Sequence, residues 1–224
     1  VKSGEGALAL IGDSTYTGGT TINGGTLQIG DGGEAGSIIG NITNNGILTF
    51  NRADDIVFNG DIKGNGSLEK DGFGLLVLTG NNTFAGATTI NNGTMQVGNG
   101  GSAGSIAGDV IDNAYNGALI FDRSDDWSYS GIVSGSGELV KIGNGTLALS
   151  GVNTYTGSTV ISAGVLAITP GGALGQTGIL VGDTAQNATL EIDEGATVSG
   201  QVALEGVGTL DNAGTLVTQF VGAS

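Results

Sequence analysis

The chain repeats one stretch of about 28 residues three times, and this repetition constrains the fold more than any other feature of the sequence. The copies are Lys2–Ile29, Lys70–Val97 and Lys141–Ile168. They define repeat 1 (residues 2–69), repeat 2 (70–140) and repeat 3 (141–224), the last degenerate after about residue 168. Each unit of a repeat array buries a face against the next, so residues 1–224 are expected to form a single segment of a larger repeat protein.

Within each repeat, short β-prone runs alternate with turns of Gly, Asn, Asp, Ser and Thr, a pattern typical of strands rather than helices. Alternate residues of a strand point the same way, so matched apolar pairs identify the inward face. The predicted core columns are Leu8, Leu10, Leu76, Leu78, Leu147 and Leu149; Leu27, Ile29, Met95, Val97, Leu166 and Ile168; and Leu48, Phe50, Leu119 and Phe121.

The lengths between matched positions favour a coil over a meander. The steps from Leu76 to Met95, Leu119 and Leu139 are 19, 24 and 20 residues. Hairpins remain the alternative, because NNG and NGG are good turn sequences, but they give no reason for a long-range register. A parallel β-solenoid does, since each strand pairs with its equivalent one coil away. We therefore predict an all-β, parallel β-solenoid with about three coils per 68–71-residue repeat.

Composition removes many kinds of chemistry. The chain has no Cys and no His, which excludes thiol catalysis, Ser-His-Asp triads and most zinc sites. Its net charge of −15, from 21 acidic and 6 basic residues, opposes nucleic-acid binding. We therefore expect no catalytic residues, no cofactor, no enzymatic activity and no nucleic-acid partner.

A T-[YF]-x-G turn recurs in all three repeats with Tyr16, Phe84 and Tyr155 at the aromatic position. The ring is predicted to fold over the end of the core, where the two tyrosine hydroxyls reach a polar edge. A platform for stacking a ligand is the alternative interpretation.

These motifs resemble a known family. The stretch GTLALSGVNTYTGSTVISAGVLAI of repeat 3 resembles the passenger-associated repeat of autotransporters, the type V secretion proteins of Gram-negative bacteria. The family motif is approximately G-T-L-x-L-x-G-x-N-x-Y-x-G-x-T-x-[IV]-x-x-G-x-L, and the other copies depart from it at Asp13, Ser14 and Phe84. The resemblance implies a right-handed parallel β-helix, located at the cell surface or secreted. It also implies an outer-membrane β-barrel that lies C-terminal to this segment in the precursor.

A duplicated charged cluster is the candidate for cation binding. Its members are Arg52, Asp54 and Asp55, with the copy Arg123, Asp125 and Asp126. Paired carboxylates beside an arginine resemble the calcium-assisted site of pectate-lyase-like β-helices. A catalytic centre is normally unique, whereas this cluster is duplicated and then absent from repeat 3. We favour a structural corner with Asp capping backbone N–H groups, and keep the four aspartates as weak cation candidates.

Four Gly-rich or inserted segments are predicted to project as loops: Gly30–Ser37, Gly98–Ser105, Asp112–Asn116 and Pro170–Gln176. Binding chemistry of solenoids usually lies in such loops. The candidate contact residues are Asp31, Glu34, Asn99, Ser102, Tyr115 and Trp127. Trp127 stands where repeat 1 has Ile56, which favours half-buried packing over an exposed aromatic pair with Tyr129.

The resemblance and the composition together predict a non-enzymatic scaffold for adhesion or self-association. Its partners would be a host-cell surface, the extracellular matrix or further copies, together with its own outer-membrane barrel. A stalk that presents a domain elsewhere in the precursor and a polysaccharide-acting β-helix are the alternatives.

Overall fold

The computed structural model describes residues 1–182 and 186–217, and the regular secondary structure in these ranges is entirely β-strand. The chain divides into an N-terminal body, Val1–Asn99 with Ala103–Ala118, and a C-terminal body, Gly100–Ser102 with the residues from Leu119 onward. A search of the described residues for a helix with the length and apolarity to cross a membrane finds none. The prediction of an all-β fold is confirmed.

In the N-terminal body, parallel strands stack along three faces. The strands are β1 (Ala7–Leu10), β2 (Thr20–Ile22), β3 (Thr26–Ile29), β4 (Ile42–Asn44), β5 (Ile47–Phe50), β6 (Ile56–Phe58), β7 (Ile62–Lys63), β8 (Ser67–Lys70), β9 (Leu75–Leu78), β10 (Thr88–Ile90), β11 (Thr94–Val97) and β12 (Val110–Asp112). Their hydrogen-bonded orders are β1-β3-β5-β8-β10-β12, β6-β9-β11 and β2-β4-β7.

The C-terminal body follows the same rule. Its strands are β13 (Ala118–Phe121), β14 (Trp127–Tyr129), β15 (Val133–Gly135), β16 (Glu138–Lys141), β17 (Thr146–Leu149), β18 (Val152–Asn153), β19 (Thr159–Ile161), β20 (Gly164–Ile168), β21 (Ala173–Val181), β22 (Ala188–Ile192), β23 (Thr197–Leu204), β24 (Gly208–Asn212) and β25 (Thr215–Val217). In two of its sheets the hydrogen-bonded strand orders are β13-β16-β19-β21-β23-β25 and β14-β17-β20-β22-β24, and β18 also pairs with β21.

The pairing register confirms the solenoid and its coil length. Leu27 pairs with Leu48, and Leu48 pairs with Leu68, so equivalent residues lie 21 and 20 positions apart along the chain. In the C-terminal body Leu147 pairs in parallel with Leu166, 19 positions later. Parallel pairing over such distances needs a crossover and excludes the hairpin alternative for these strands.

The predicted apolar columns form the core of each body. All of the predicted core residues from Leu27 onward are at most 2% exposed, and burying each such side chain contributes about 1.5–3 kcal/mol. Leu8 differs, with 45% of its surface exposed, because β1 is the edge strand of its sheet. The side-chain alternation therefore identified the core, and the position of a strand within the stack decided how deeply it is buried.

One predicted loop is partly wrong. In the segment Pro170–Gln176, strand β21 begins at Ala173, so the turn ends at Gly172. The strand pairs with β23 through a register shift between Leu174 and Thr177. Coil-to-coil pairing overrides the weak strand propensity of this Gly-containing run. Asp112 likewise belongs to β12 rather than to the loop that follows it.

The aromatic turns pack as predicted in repeats 2 and 3, where Phe84 and Tyr155 are 0% and 1% exposed. The hydroxyl of Tyr155 lies 2.6 Å from Oγ1 of the buried Thr159, and the hydroxyl of Tyr16 lies 2.8 Å from Oγ1 of Thr20. Burial raises the pKa of Tyr155 above its usual value. Phe84 has no hydroxyl, and among the described residues none bonds to the buried Oγ1 of the matched Thr88.

Replacing Phe84 with tyrosine is expected to stabilise the protein by about 1 kcal/mol, because the new hydroxyl gives Thr88 the partner that its counterparts have. The measurement is urea unfolding of the wild type and F84Y. Y155F is the matched reverse change and should destabilise by a similar amount. A lower stability of F84Y would show that the hydroxyl does not fit this turn.

Candidate functional site

The loop Gly30–Ser37 is held at both ends by side chains, one from the strand that leads into it and one from the next coil. At its start, Nε2 of Gln28 donates to the carbonyl oxygen of Gly30 at 2.7 Å. Towards its end, the guanidinium of Arg52 donates to the carbonyl oxygens of Glu34 and Gly36. The five residues between the buried Gly30 and the buried Gly36 are all exposed. The backbone of this loop is therefore fixed, while its tip faces solvent.

Arg52 is itself fixed by Asp54. Its Nε donates to Oδ1 of Asp54 at 2.8 Å and its NH2 group donates to Oδ2 at 2.7 Å. This bidentate bond holds the pKa of Asp54 below its usual value and raises that of Arg52. Arg52 is 7% exposed, and a more distant carboxylate oxygen, of Asp13, lies 4.0 Å away. The ion pair thus orients the guanidinium towards the loop carbonyls.

Glycine is required where this loop leaves and rejoins the coil. Gly30 and Gly36 have φ angles of 83° and 104°, a region that L-residues with side chains rarely adopt. A Cβ added at Gly36 would also lie 2.5 Å from the carbonyl oxygen of Leu10. The matched Gly98 and Gly104 have φ angles of 87° and 94°.

We call the pair Arg52 and Asp54 the arginine corner, and it recurs in repeat 2 as Arg123 and Asp125. Arg123 donates to Asp125 from Nε at 3.0 Å and from NH2 at 2.8 Å, and NH2 also donates to the carbonyl oxygen of Ser102. In the N-terminal body, Nε2 of Gln96 donates to the carbonyl oxygen of Gly98 at 2.9 Å. The candidate contact residues Asp31, Glu34, Asn99 and Ser102 are all exposed.

Sequence reasoning missed the two loop-anchoring glutamines. Gln28 and Gln96 occupy the same position in repeats 1 and 2, each two residues before a Gly-rich loop. Repeat 3 has Ala167 at this position and no such loop. The glutamine is present in the two repeats that have the loop and absent from the repeat that lacks it. This correlation within the chain could have identified both glutamines.

The other two cation candidates cap backbone groups of the next coil. Oδ1 of Asp55 accepts from the N–H of Leu75 at 2.8 Å, and Oδ1 of Asp126 accepts from the N–H of Thr146 at 3.0 Å. The bond from Thr146 lowers the pKa of Asp126. The described residues contain no cluster of three or more Asp or Glu residues that could hold a metal ion. Cation binding at these aspartates stays a prediction.

The two aromatic contact candidates have different surroundings. Trp127 is half-buried, with its ring centroid 5.7 Å from those of Phe121 and Tyr129, and the guanidinium carbon of Arg123 lies 5.6 Å from it. Tyr129 is buried, so the structure contains no exposed Trp127–Tyr129 pair. Tyr115 is 93% exposed at the tip of its loop.

A buried lysine opens every repeat, and sequence reasoning did not identify it as buried. Lys2, Lys70 and Lys141 are 8%, 2% and 1% exposed. Each ammonium donates to two backbone carbonyl oxygens, those of Gly72 and Asn92 for Lys70 and those of Gly143 and Ala163 for Lys141. Burial lowers the pKa of Lys70 and of Lys141 to about 8. All three lysines occupy the same position of the repeat, and this was the feature of the sequence that could have indicated a structural role for them.

The lysines make stability depend on pH in the alkaline range. Their pKa in the folded chain, about 8, lies below the value of about 10.4 in an unfolded chain. The unfolded chain therefore binds more protons between these values, and the free energy of unfolding should rise by about 1–2 kcal/mol per lysine from about pH 7.5 to about pH 9.5. Urea unfolding at about pH 7.5 and pH 9.5 measures this. A K70M/K141M variant should show a flatter profile, and a wild-type stability that falls over the range would contradict the prediction.

Comparison with known proteins supports the repeat assignment. The passenger-associated-transport-repeat family matches residues 1–29, 68–97 and 139–168. The chain is also 38% identical over 231 residues to the adhesin BmaC autotransporter of Brucella suis biovar 1 (strain 1330). This similarity covers 93% of the chain but only 6% of the length of that relative. The search of solved structures gave no match.

Proposed function

Since this chain is a segment of an autotransporter passenger built of passenger-associated-transport repeats, we propose that it is a non-enzymatic adhesive scaffold. The repeats hold the loops Gly30–Ser37 and Gly98–Ser105, whose exposed tips contact a surface. The relative is named as an adhesin, and the repeat family supports a location at the cell surface or outside a Gram-negative cell.

The arginine corner is the observation that carries the proposal. Arg52 and Gln28 hold the loop Gly30–Ser37 through its backbone, so the side chains of Asp31 and Glu34 are left exposed for contact. A loop held in one conformation loses little conformational entropy when it binds, which increases affinity. This arrangement favours recognition over a role as a plain spacer, which needs no fixed loop.

The repeat supplies the loop more than once. Several weak contacts made by one chain add through an increased effective concentration, so a surface with many receptors is bound more strongly than a single receptor. The chemistry of the two tips differs, since Asp31 and Glu34 are acidic whereas Asn99 and Ser102 are neutral. We infer that repeat 1 prefers a basic partner and that its contribution weakens with salt.

The bonds made by the aspartates of the duplicated charged cluster favour a non-enzymatic role. Asp54 and Asp125 bind arginine, and Asp55 and Asp126 bind backbone N–H groups, so each carboxylate already has a structural task. The cluster is also present twice. Both features favour a corner that supports a loop over a catalytic centre.

The test measures binding of beads coated with this chain to host-type cells and to one another. A D31A/E34A/N99A/S102A variant should lower cell binding at least tenfold with unchanged unfolding, because these side chains are exposed. The control variant E205A/D211A removes the same two charges from other exposed positions and should bind as the wild type does.

Other outcomes would support the alternatives. No cell binding at high coating density would favour a stalk, and loop-dependent clumping of beads without cells would favour self-association. Release of products from an acidic glycan, abolished by Arg123→Ala, would establish a polysaccharide-acting protein instead.

A further inference from the structure

The N-terminal body exposes two large aromatic side chains that its core does not use. Phe73 is 79% exposed and Tyr115 is 93% exposed. By contrast, Phe50, Phe58 and Phe84 of the same body are at most 5% exposed. Tyr16, near the start of the chain, is 41% exposed, but its hydroxyl lies 2.8 Å from Oγ1 of Thr20 in its own turn. The two rings are thus exceptions to how this body treats aromatic residues, and packing does not account for them.

Both aromatic residues lie on one corner of the solenoid, in turns that stack on one another. We define the aromatic corner as the turns Gly72–Gly74, Asn91–Gly93 and Asn113–Gly117. A Cβ added at Gly93 would lie 2.6 Å from the carbonyl oxygen of Phe73, and one added at Gly117 would lie 1.7 Å from that of Gly93. The three turns are therefore in direct contact, and Phe73 and Tyr115 are two coils apart, about 9.6 Å of rise.

The fold of these turns does not require aromatic residues. Repeat 1 has Glu5 and repeat 3 has Asn144 at the position of Phe73. Tyr115 belongs to the three-residue insertion that separates repeat 2 from repeat 1. Repeat 2 thus carries one ring at a position that differs in the other repeats and one ring in an insertion, both on the same corner of one body.

The surroundings of the rings are polar and acidic. Nδ2 of Asn91 donates to Oδ1 of Asp71 at 2.7 Å, which orients an exposed amide beside a carboxylate between the two aromatic turns. Two basic residues, Lys70 and Arg52, lie next to this corner, and both are buried. The ammonium of Lys70 donates to backbone carbonyls of the turns, and the guanidinium of Arg52 is paired with Asp54. The corner therefore offers negative and hydrogen-bonding groups to a ligand but no exposed positive charge.

We propose that the aromatic corner binds a neutral glycan chain. The apolar face of a sugar ring stacks on Phe73 and another on Tyr115, while amide and carboxylate groups between them bond to hydroxyls. Anionic glycans are repelled by the carboxylates. An apolar peptide is disfavoured, because two rings separated by the polar turn Asn91–Gly93 do not form a continuous apolar patch. The site shares no residue with the loops proposed above, so either proposal can fail alone.

The experiment is saturation-transfer NMR with the whole chain and neutral oligosaccharides of two to six sugars, β-1,4-linked glucose and N-acetylglucosamine. Saturation transfer from the protein is expected with oligosaccharides long enough to reach both rings, and no transfer is expected with sialylated or sulfated oligosaccharides. The F73N and Y115N variants, which introduce the residue type of repeat 3 or of the adjacent turn, should each lower affinity at least fivefold.

Control variants separate stacking from folding. F73Y and Y115F keep both rings and should bind as the wild type does, whereas I11N removes another exposed apolar side chain and should have no effect on binding. N144F adds an isolated ring to the matched turn of repeat 3 and should not create a second site. Equal binding by F73N/Y115N and the wild type, absence of transfer from every neutral oligosaccharide, or binding of a basic peptide in their place would overturn the proposal.

Discussion

Replacing Asn153 with leucine is expected to lower the free energy of unfolding by about 2–4 kcal/mol, since it leaves the buried N–H of Val133 without its acceptor and removes two further bonds to backbone carbonyls. Oδ1 of Asn153 accepts from the N–H of Val133 at 2.8 Å, and Nδ2 donates to Gly151 and Ala173 at 3.0 and 3.1 Å. Asn153 is 1% exposed, so water cannot replace these bonds. Leucine has the same number of side-chain heavy atoms and the same branching as asparagine, so the main loss is of hydrogen bonding.

Asn82 makes the same bonds in the N-terminal body. It accepts from the N–H of Ile62 at 2.9 Å and donates to Gly80 and Ser105 at 3.2 and 2.9 Å. The variant N82L should therefore show a loss comparable to that of N153L. The exposed Asn144 is the matched control, and N144L should change stability by less than about 0.5 kcal/mol. Urea unfolding followed by circular dichroism measures all three, and equal stability of N153L and N144L would refute the role assigned to the buried amide.

The variant L149D is expected to unfold the coils around β17 and β20, with a cost of several kcal/mol from burying a carboxylate without a partner. Leu149 is 0% exposed, and it pairs in register with Ile168 on one side and Tyr129 on the other. A solenoid is stabilised mainly by contacts between neighbouring coils, so the damage should spread along the C-terminal body before it affects distant strands.

Limited proteolysis and hydrogen exchange measure this local unfolding. L149D should gain cleavage sites and lose amide protection in β14, β17 and β20, while strands such as β3 and β5 stay protected. The control is V152D, which places the same charge at a side chain that is 54% exposed and should leave the cleavage pattern unchanged. Wild-type protease resistance of L149D would mean that Leu149 is not part of the core.

The two variants also show which parts of the fold the sequence could reveal. Leu149 was identified as a core residue because alternation and repetition both mark its column. Asn153 belongs to the repeat motif, but nothing in the sequence says that its amide bonds to residues 20 positions before and after it. The strand ladder sets those distances, since it brings one coil onto the next at a rise of about 4.8 Å.

The candidate site was predicted only in outline. The sequence located the Gly-rich loops and paired Arg52 with Asp54, but it did not show that the guanidinium turns back to the loop Gly30–Ser37 of the preceding coil. That contact depends on the bidentate ion pair, which aims the remaining N–H groups at the carbonyls of Glu34 and Gly36. The buried position of Lys70 and Lys141 escaped prediction for a similar reason. Lysine is rarely buried, and only the stacked turns supply the carbonyl oxygens that accept hydrogen bonds from its ammonium.

The repeat, the all-β class, the parallel coils, the core columns and the resemblance to autotransporter passengers could all be predicted from the sequence alone. These properties depend on period-two alternation and on matched positions between repeats, both of which can be read from the linear sequence. Only the stacking of coils shows that Asn153 bonds to its neighbouring coils and that Arg52 bonds to its loop. It also places Phe73 and Tyr115 on one corner, two coils apart. The bonds that join one coil to the next link residues 16 to 20 positions apart, and only coil stacking decides which of these residues are close enough to bond.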